Sequence, residues 1–384
     1  MALKIGPWGA ARAAPSAAPA QPPDEVARFP CRSCGASLGY RPGTFTLTCP
    51  FCGAENPTPE AGDRSAALRE QDFEAALRAG ADAAIMEATQ IVHCDSCGAD
   101  VEFDPAEQAK TCPFCASPLV APPRADRHIR PQALLPFAID EAEARAALAR
   151  WLQGLWFAPS GLSRYARRGA LSGVYAPHWT FDAHTETAYS GQRGDAVRRT
   201  RRGPKGQTQS MTEIRWRPAR GRVARAFDDV LARGSTSLSQ AEADRLAPWD
   251  LTHLAPYAPD WLAGFRAEAY TVDLRAAFVE ARRTMDAQIA QDVRRDIGGD
   301  QQRIDRIDTR ISDVTFKHVL LPVWVGAYRW RGKPYRVLVN GRTGRVSGAR
   351  PWSVWKIALA VVSAAAVAAA LFWLFSQGGG PQLY

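Results

Sequence analysis

The eight cysteines of this chain form two copies of one spacing pattern. Each copy has two CxxC pairs with 14 residues between them, and each cysteine of the second copy lies 63 positions after its counterpart. The sets are Cys31, Cys34, Cys49 and Cys52, and then Cys94, Cys97, Cys112 and Cys115. A CxxC turn places two sulfurs on one side of a tight knuckle, and a second knuckle supplies two more, which suits a tetrahedral ion. The spacing predicts two metal sites, with one Zn2+ ion in each.

The two copies agree at 11 of 22 aligned positions, which indicates an internal duplication of a zinc ribbon. Three other chemistries compete with structural zinc. Disulfides need an oxidising compartment, whereas the orientation predicted from the C-terminal flanks keeps these cysteines in the cytosol. Iron bound as in rubredoxin uses very similar knuckles, so the sequence leaves zinc and iron open. A catalytic zinc keeps an open coordination position, which four thiolates close.

An uncharged run of 19 residues, 357–375, lies near the C-terminus. As a helix at about 1.5 Å per residue it spans about 28 Å, close to the ~30 Å hydrocarbon core of a bilayer. Trp352, Trp355 and Trp373 flank this run as interface anchors. The run predicts a transmembrane helix, and a buried helix of a soluble core is the alternative.

The charges around this run predict its orientation. Four basic residues precede it, whereas the nine residues that follow it contain no Lys or Arg. They are Arg342, Arg345, Arg350 and Lys356. The positive-inside rule then keeps the N-terminal bulk in the cytoplasm. We therefore expect a single-pass, tail-anchored protein of the cell inner membrane.

The net charge of +9 is concentrated in residues 193–225, which hold 11 basic and two acidic residues. The densest group, which reads as an exposed loop, is Arg198, Arg199, Arg201, Arg202 and Lys205. Such a loop attracts anionic lipid headgroups or nucleic acid. A solvated loop without a ligand is the plain alternative. We interpret these five residues as a segment that binds an anionic surface.

Composition and turn signals divide the chain into segments. The predicted ranges are a disordered Ala/Pro-rich N-terminus at 1–27, a zinc ribbon at 28–57, a helical spacer at 58–91, a second ribbon at 92–121, an α+β domain or domains at 127–350, the transmembrane tail anchor at 351–376 and a short non-cytoplasmic tail at 377–384. The fold class is α+β, with two N-terminal four-cysteine zinc ribbons, a mixed α+β middle domain and one C-terminal transmembrane helix.

Periodicity predicts the main elements of the middle domain. Asp140 caps a helix that runs through Leu155, with Glu143 completing a capping box. The face predicted to be buried on this helix consists of Trp151, Leu152, Leu155 and Trp156. The strands are predicted at 174–189, 212–217, 221–227 and 317–330, and a hairpin is predicted at 337–346. A long helix is predicted at 273–297, with a continuation over 300–311.

Alternate residues of the strand at 174–189 carry polar side chains on one face. They are His178, Thr180, Asp182, His184 and Glu186. These residue types suggest a metal or acid–base site, but a polar strand face is favoured because nothing supplies a companion ligand set elsewhere.

The sequence contains no P-loop, GxSxG elbow, HExxH or GxGxxG motif. The cysteines are all assigned to metal, which leaves no thiol for nucleophilic catalysis. We therefore predict no catalytic residues and no enzymatic activity. An adaptor or scaffold explains the features with fewer assumptions.

Several segments resemble one known family. They are Cys94–Cys115, the runs at 173–182, 248–251, 320–324 and 335–344, and the tail helix. Together they resemble the bacterial tail-anchored, TFIIB-type zinc-ribbon proteins, which are often labelled primosomal protein N′ (replication factor Y), a superfamily II helicase. The resemblance covers the chain from about residue 28 to 375.

This resemblance implies a membrane adaptor that docks cytoplasmic or membrane-associated proteins at the inner membrane. The broader family is associated with membrane-stress systems that contain SPFH-domain and phage-shock-type partners. The resemblance transfers the eight cysteines as metal ligands and no catalytic residue. The alternative is a nucleic-acid-binding zinc-ribbon protein, related by its label to the primosomal helicase and without an ATPase of its own.

Overall fold

The chain is a mixed α+β protein in a computed structural model that describes residues 30–44, 46–57, 68–79, 86–102, 111–115, 117–119, 123–159, 161–162, 171–202, 208–330 and 333–377. The strands of this part are β1 Gly39–Tyr40, β2 Thr46–Thr48, β3 Glu55–Pro57, β4 Gln71–Asp72, β5 Met86–His93, β6 Asp100–Glu102, β7 Arg124–Ile129, β8 Ala133–Leu134, β9 Leu171–Arg202, β10 Thr208–Arg233, β11 Ala255–Pro256, β12 Arg266–Ala267, β13 Gln301–Trp330, β14 Lys333–Asn340 and β15 Val346–Gly348. The helices are α1 Phe73–Ala79, α2 Glu141–Gln153, α3 Gln240–Leu246, α4 Leu274–Ile297 and α5 Val354–Gln377, with short 3-10 turns at Leu251–His253 and Pro259–Leu262. The predicted disordered segment at 1–27 lies outside the described residues.

Three very long strands, β10, β9 and β13, lie side by side in the largest sheet. Its order is β10-β9-β13-β14-β15, and β9 pairs antiparallel with both of its neighbours. The N-terminal end of β9 pairs with the part of β13 that also pairs with β14. The C-terminal part of β9 extends beyond β14 and β15. We call this extension the arm, and it consists of residues 182–202, 208–227 and 301–315. The predicted strand at 174–189 is confirmed within β9, and those at 212–217 and 221–227 are parts of one strand, β10.

The prediction of a continued helix over 300–311 is wrong, because these residues belong to β13. A β-bulge between Ile304 and Arg306 interrupts the pairing of β13 with β9 and shifts the alternation of its side chains. Ile304, Ile307 and Ile311 therefore share one face although they lie three and four positions apart. That spacing is typical of a helix, so the local pattern was misleading. Pairing with β9, which is distant in sequence, determines the conformation.

The helical spacer predicted over 58–91 is helical only in part. The helix α1 covers seven residues, and strand β4 precedes it. Strand β5 occupies the end of the predicted spacer because it is the central strand of a sheet with β6 and β7. Ile91 and Val92 are both buried there, on opposite faces of that strand. Residues 68–70 precede β4 without regular secondary structure, and residues 58–67 and 80–85 lie outside the described part of the chain.

Helix α4 confirms the predicted helix at 273–297 and covers one face of the arm. Asp273 caps it, since its side chain accepts a hydrogen bond from the backbone N–H of Ala276. One stripe of the helix is buried, at Leu274, Ala277, Ala281, Met285, Ile289, Val293 and Ile297. Ion pairs and a hydrogen bond extend this contact, including a bidentate pair between Arg225 and Asp292 at 2.6 and 2.8 Å. The other face of the arm is left uncovered by α4.

Helix α2 begins as predicted, with a capping box between Asp140 and Glu143. It buries Ala144, Ala147, Leu148 and Leu152. Trp156, predicted to lie on this buried face, is 80% exposed. The helix ends at Gln153, so Trp156 follows the helical stripe instead of belonging to it.

The C-terminal helix α5 has one segment, Val354–Phe375, that is long and apolar enough to cross a membrane. None of its most apolar window is buried against the rest of the protein. The start of the helix is attached to the body, because Lys356 Nζ donates a hydrogen bond to the carbonyl oxygen of Ala158 at 2.8 Å. The guanidinium of Arg350 lies 4.5 Å from the ring centre of Trp352.

Two buried histidines make the stability of this fold pH-dependent. His178 and His318 are almost fully buried, and their Nδ1 atoms lie 3.1 and 2.8 Å from backbone carbonyl oxygens. Burial lowers the pKa of each imidazole to about 4. Because the unfolded pKa is about 6.5, the stabilising effect of neutral imidazole is complete above that value and is lost as the pH falls toward 4.

We expect His318→Gln to be less sensitive to acid than the parent chain. Between pH 7 and pH 5 the parent should lose about 1–2 kcal/mol more of its free energy of unfolding than the variant. Urea denaturation of the full chain in neutral detergent at the two pH values measures this difference. Equal losses in both proteins would show that His318 is not held neutral by burial.

Candidate metal centres

The first cysteine cluster lies at the base of a small sheet formed by β1, β2 and β3. In its knuckles the N–H of Gly35 donates to the carbonyl of Cys31, and the N–H of Gly53 donates to that of Cys49. Both glycines have positive φ, near 75° and 72°, which a side chain would disfavour. The Sγ atoms of Cys31 and Cys52 are 3.5 Å apart, as are those of Cys34 and Cys49.

The second cluster repeats this construction beside the β6-β5-β7 sheet. Gly98 has φ near 74° and its N–H donates to the carbonyl of Cys94, as in the first copy. The Sγ distances are 3.5 Å from Cys94 to Cys115 and 3.7 Å from Cys97 to Cys112. In each cluster all four sulfurs lie within 4.8 Å of one another and could hold a metal ion. Four sulfurs at about 2.3 Å from a tetrahedral ion would be about 3.8 Å apart, close to these distances.

The thiols of the second cluster compete for protons. The contact with Cys112 is the main cause that lowers the pKa of Cys97 to about 5, and the same contact raises the pKa of Cys112. A divalent cation at the centre would stabilise all four thiolates together, because metal ligands must be deprotonated. The four sulfurs could therefore hold a tetrahedral metal ion without a fifth donor.

The two clusters differ in what surrounds them. Phe114, in the second Cys-Pro-Phe-Cys knuckle, is fully buried and belongs to a core that includes Val323 and Leu338 of the central sheet. Phe51 occupies the equivalent position of the first copy and is 81% exposed. The first copy contacts the body instead through Tyr40, whose ring lies 5.0 Å from that of Trp261. The two Cys-Pro-Phe-Cys motifs are identical, but the phenylalanine is exposed in the first and buried in the second.

The basic residues predicted to form a loop lie mainly on a strand. Arg198 and Arg199 are exposed residues of β9, and Arg201 and Arg202 are its last two residues. Lys205 lies outside the described residues. The loop prediction is wrong for the first four positions, because residues 198–202 pair with 208–212 of β10. They form the end of the arm.

The polar face of the strand at 174–189 acquires companions that the sequence did not reveal. Glu70 and Asp228 place carboxylate oxygens beside that of Asp182. Burial is the main cause that raises the pKa of Asp182 to about 7, and the hydrogen-bonded Glu70 contributes. Lys317 neutralises part of this charge through contacts of 2.9 Å with Glu70 and with Asp229. Glu70 lies far from Asp182 in sequence, so only the fold could show this group.

The fold and these sites define a mixed α+β protein with two four-cysteine clusters and a C-terminal helix that could cross a membrane. The chain is similar to a Bacillus subtilis (strain 168) protein described as uncharacterized protein YdjG, with 24% identity over 343 residues that make up 87% of this chain and 92% of that protein. No protein-family model matches the chain, and no solved structure matches it.

Proposed function

We propose that this protein is a membrane-anchored zinc-ribbon adaptor that docks cytoplasmic proteins at the inner membrane. Each cysteine module is then a zinc ribbon, and the zinc is structural because four thiolates fill its coordination sphere. The partners that the family resemblance implies are SPFH-domain and phage-shock-type proteins of an envelope-stress system. Tethering would confine adaptor and partner to a thin layer and so raise their effective concentration.

The anchor in this proposal is α5, with the N-terminal bulk in the cytoplasm. The apolar window of α5 is not covered by the rest of the protein, and insertion into lipid would remove this surface from water. Arg350 and Lys356 lie on its N-terminal side, as the positive-inside rule requires of a cytoplasmic flank. Trp352 and Trp355 are also exposed there, at the level expected for interfacial anchors.

The observation that carries the docking role is the exposed ring of Phe51. The equivalent Phe114 is buried between the second ribbon and the body, so its side chain is not available to a partner. In the first ribbon the same position faces solvent, on a turn closed by the hydrogen bond from the N–H of Gly53 to the carbonyl of Cys49. Buried aromatic side chains commonly dominate protein–protein binding energies. We therefore assign Phe51 to the docking surface.

Affinity purification from solubilised membranes tests this role. We expect Phe51→Ala to lose at least about 90% of the recovered partner protein while its own abundance and zinc content stay unchanged, because hot-spot aromatics contribute about 2 kcal/mol or more. Trp156→Ala is the matched control, since Trp156 is equally exposed but lies on the side where α5 begins. An unchanged partner set in Phe51→Ala, or an equal loss in Trp156→Ala, would contradict the assignment.

A further inference from the structure

The arm has one face covered by α4 and a second face without such cover. On the central strand β9, odd-numbered residues such as Thr187 and Tyr189 point toward α4, and even-numbered residues point to the open face. The pairing registers then place six arginines on the open face, and all of them are exposed. They are Arg198, Arg220, Arg222, Arg303, Arg306 and Arg310.

The arginines of the two faces differ in their pairing. On the face toward α4, Arg193 and Arg217 both pair with Asp195, and Arg199 pairs with Glu213 at 3.1 Å. On the open face, Arg306 pairs with Asp308, and the other five arginines have no ion-pair partner among the residues that the structure describes. Glu186 and Asp308 are the acidic residues in register with this group. The open face therefore carries an excess of uncompensated positive charge.

The shape of the open face favours an extended ligand. Two arginine rows, on β10 and β13, flank β9, so they stand about 10 Å apart across two strand spacings. Between them β9 presents mainly small side chains, including Ala188 and Ser190. The row on β13 extends for about 20 Å, from Arg310 to Arg303, and Arg198 on β9 itself lengthens the arginine group to about 40 Å at about 3.3 Å per residue. The result is a shallow channel with basic walls.

An aromatic ring lies within this channel. Trp216 crosses the strand at Gly194, where a Cβ atom would lie within 3.1 Å of the indole ring. The guanidinium of Arg303 stacks 4.0 Å from the ring centre of Trp216. Arginine and tryptophan on one surface supply both components that bind unpaired nucleotides, namely phosphate contacts and a platform for base stacking.

We propose that the open face of the arm binds single-stranded nucleic acid, with the unpaired arginines on the phosphates and Trp216 against a base. The face begins about 50 Å along the strands from the end of the sheet near α5, so this chemistry is separate from the membrane helix. It is also separate from the cysteine clusters and from Phe51. The proposal therefore does not depend on the adaptor role.

The test uses the full chain in nanodiscs of uncharged phosphatidylcholine and a fluorescent DNA strand of about 20 nucleotides, which spans the channel. The patch variant is R220Q/R222Q/R310Q. The control variant, R193Q/R199Q/R217Q, removes the same charge from the opposite, ion-paired face. At low salt we expect the patch variant to bind at least about tenfold more weakly and its log–log salt slope to fall by about two, since each phosphate contact contributes about 0.7. The control should stay within about threefold of the parent.

Several outcomes would overturn the proposal. They are no binding of the strand by the parent at low salt, equal losses in the two variants, or equal affinity for a duplex of the same length. Polyglutamate that competes as well as DNA at equal charge would identify the face as a docking site for acidic protein. Binding to phosphatidylglycerol vesicles that depends on the patch, without binding to DNA, would assign the face to anionic lipid.

Discussion

Replacing Cys112 with Ser should remove one of the two zinc ions from each chain and unfold the second cysteine module. Three thiolates bind zinc much more weakly than four, and structural zinc contributes about 10–16 kcal/mol to the folding of small zinc domains. The damage should reach the body, because Cys112 and Phe114 are buried in one core with residues of the central sheet. We therefore expect the free energy of unfolding to fall by about 3 kcal/mol or more.

Zinc content per chain and thermal unfolding by circular dichroism measure the two effects. The matched control is Ser96→Ala, because Ser96 lies in the first knuckle of the same module and is exposed. That control should keep two zinc ions and the parental melting temperature. If Cys112→Ser retains as much zinc as the parent, the four-thiolate site is not what holds the metal.

Two arginines in the middle of α5 should release the chain from membranes. Arginine at the centre of a membrane-spanning helix costs about 2.5–3.5 kcal/mol. Val362→Arg with Val367→Arg would therefore make the free energy of inserting α5 into the membrane less favourable by about 5–7 kcal/mol. Both valines are exposed on the part of the helix that does not contact the rest of the protein, so the change does not disturb packing. We expect the double variant to move from the membrane pellet to the supernatant.

Sedimentation after an alkaline carbonate wash, followed by immunoblotting, measures this redistribution. Val362→Leu with Val367→Leu preserves the apolar character and should remain in the pellet. If the arginine variant also stays in the washed pellet, α5 is not the anchor. If the parent is found wholly in the supernatant, the chain has no membrane anchor.

Local sequence signals predicted several elements correctly because local chemistry decides them. Asp140 and Glu143 form the predicted capping box of α2, and α4 covers the range predicted for the long helix. The cysteine spacing likewise predicted which sulfurs would converge, because each CxxC turn brings two sulfurs together and the 14 residues between the pairs suffice for a short hairpin. These features need little information from the rest of the fold.

The failures occur where distant pairing determines the structure. The isoleucines at 304, 307 and 311 have helical spacing, but one bulge places them on the same face of β13. The basic residues at 198–202 have loop composition, but β10 pairs with them. Both segments belong to the arm. The length of its strands depends on pairing between distant segments, which the local sequence does not indicate.

The surroundings of the candidate sites could not be predicted from the sequence either. Phe51 and Phe114 stand in identical motifs, and only the packing of each module on the body makes one exposed and the other buried. The division of arginines between the two faces of the arm depends on register, since one step along the chain changes the face. Net charge alone could not separate paired from unpaired arginines.

The most direct test of the account is native mass spectrometry of the full chain released from washed membranes into detergent. We predict one dominant species, whose mass exceeds that of the polypeptide by two zinc ions. A metal-free polypeptide, a species that carries iron in place of zinc, or the absence of the chain from the membrane fraction would contradict it.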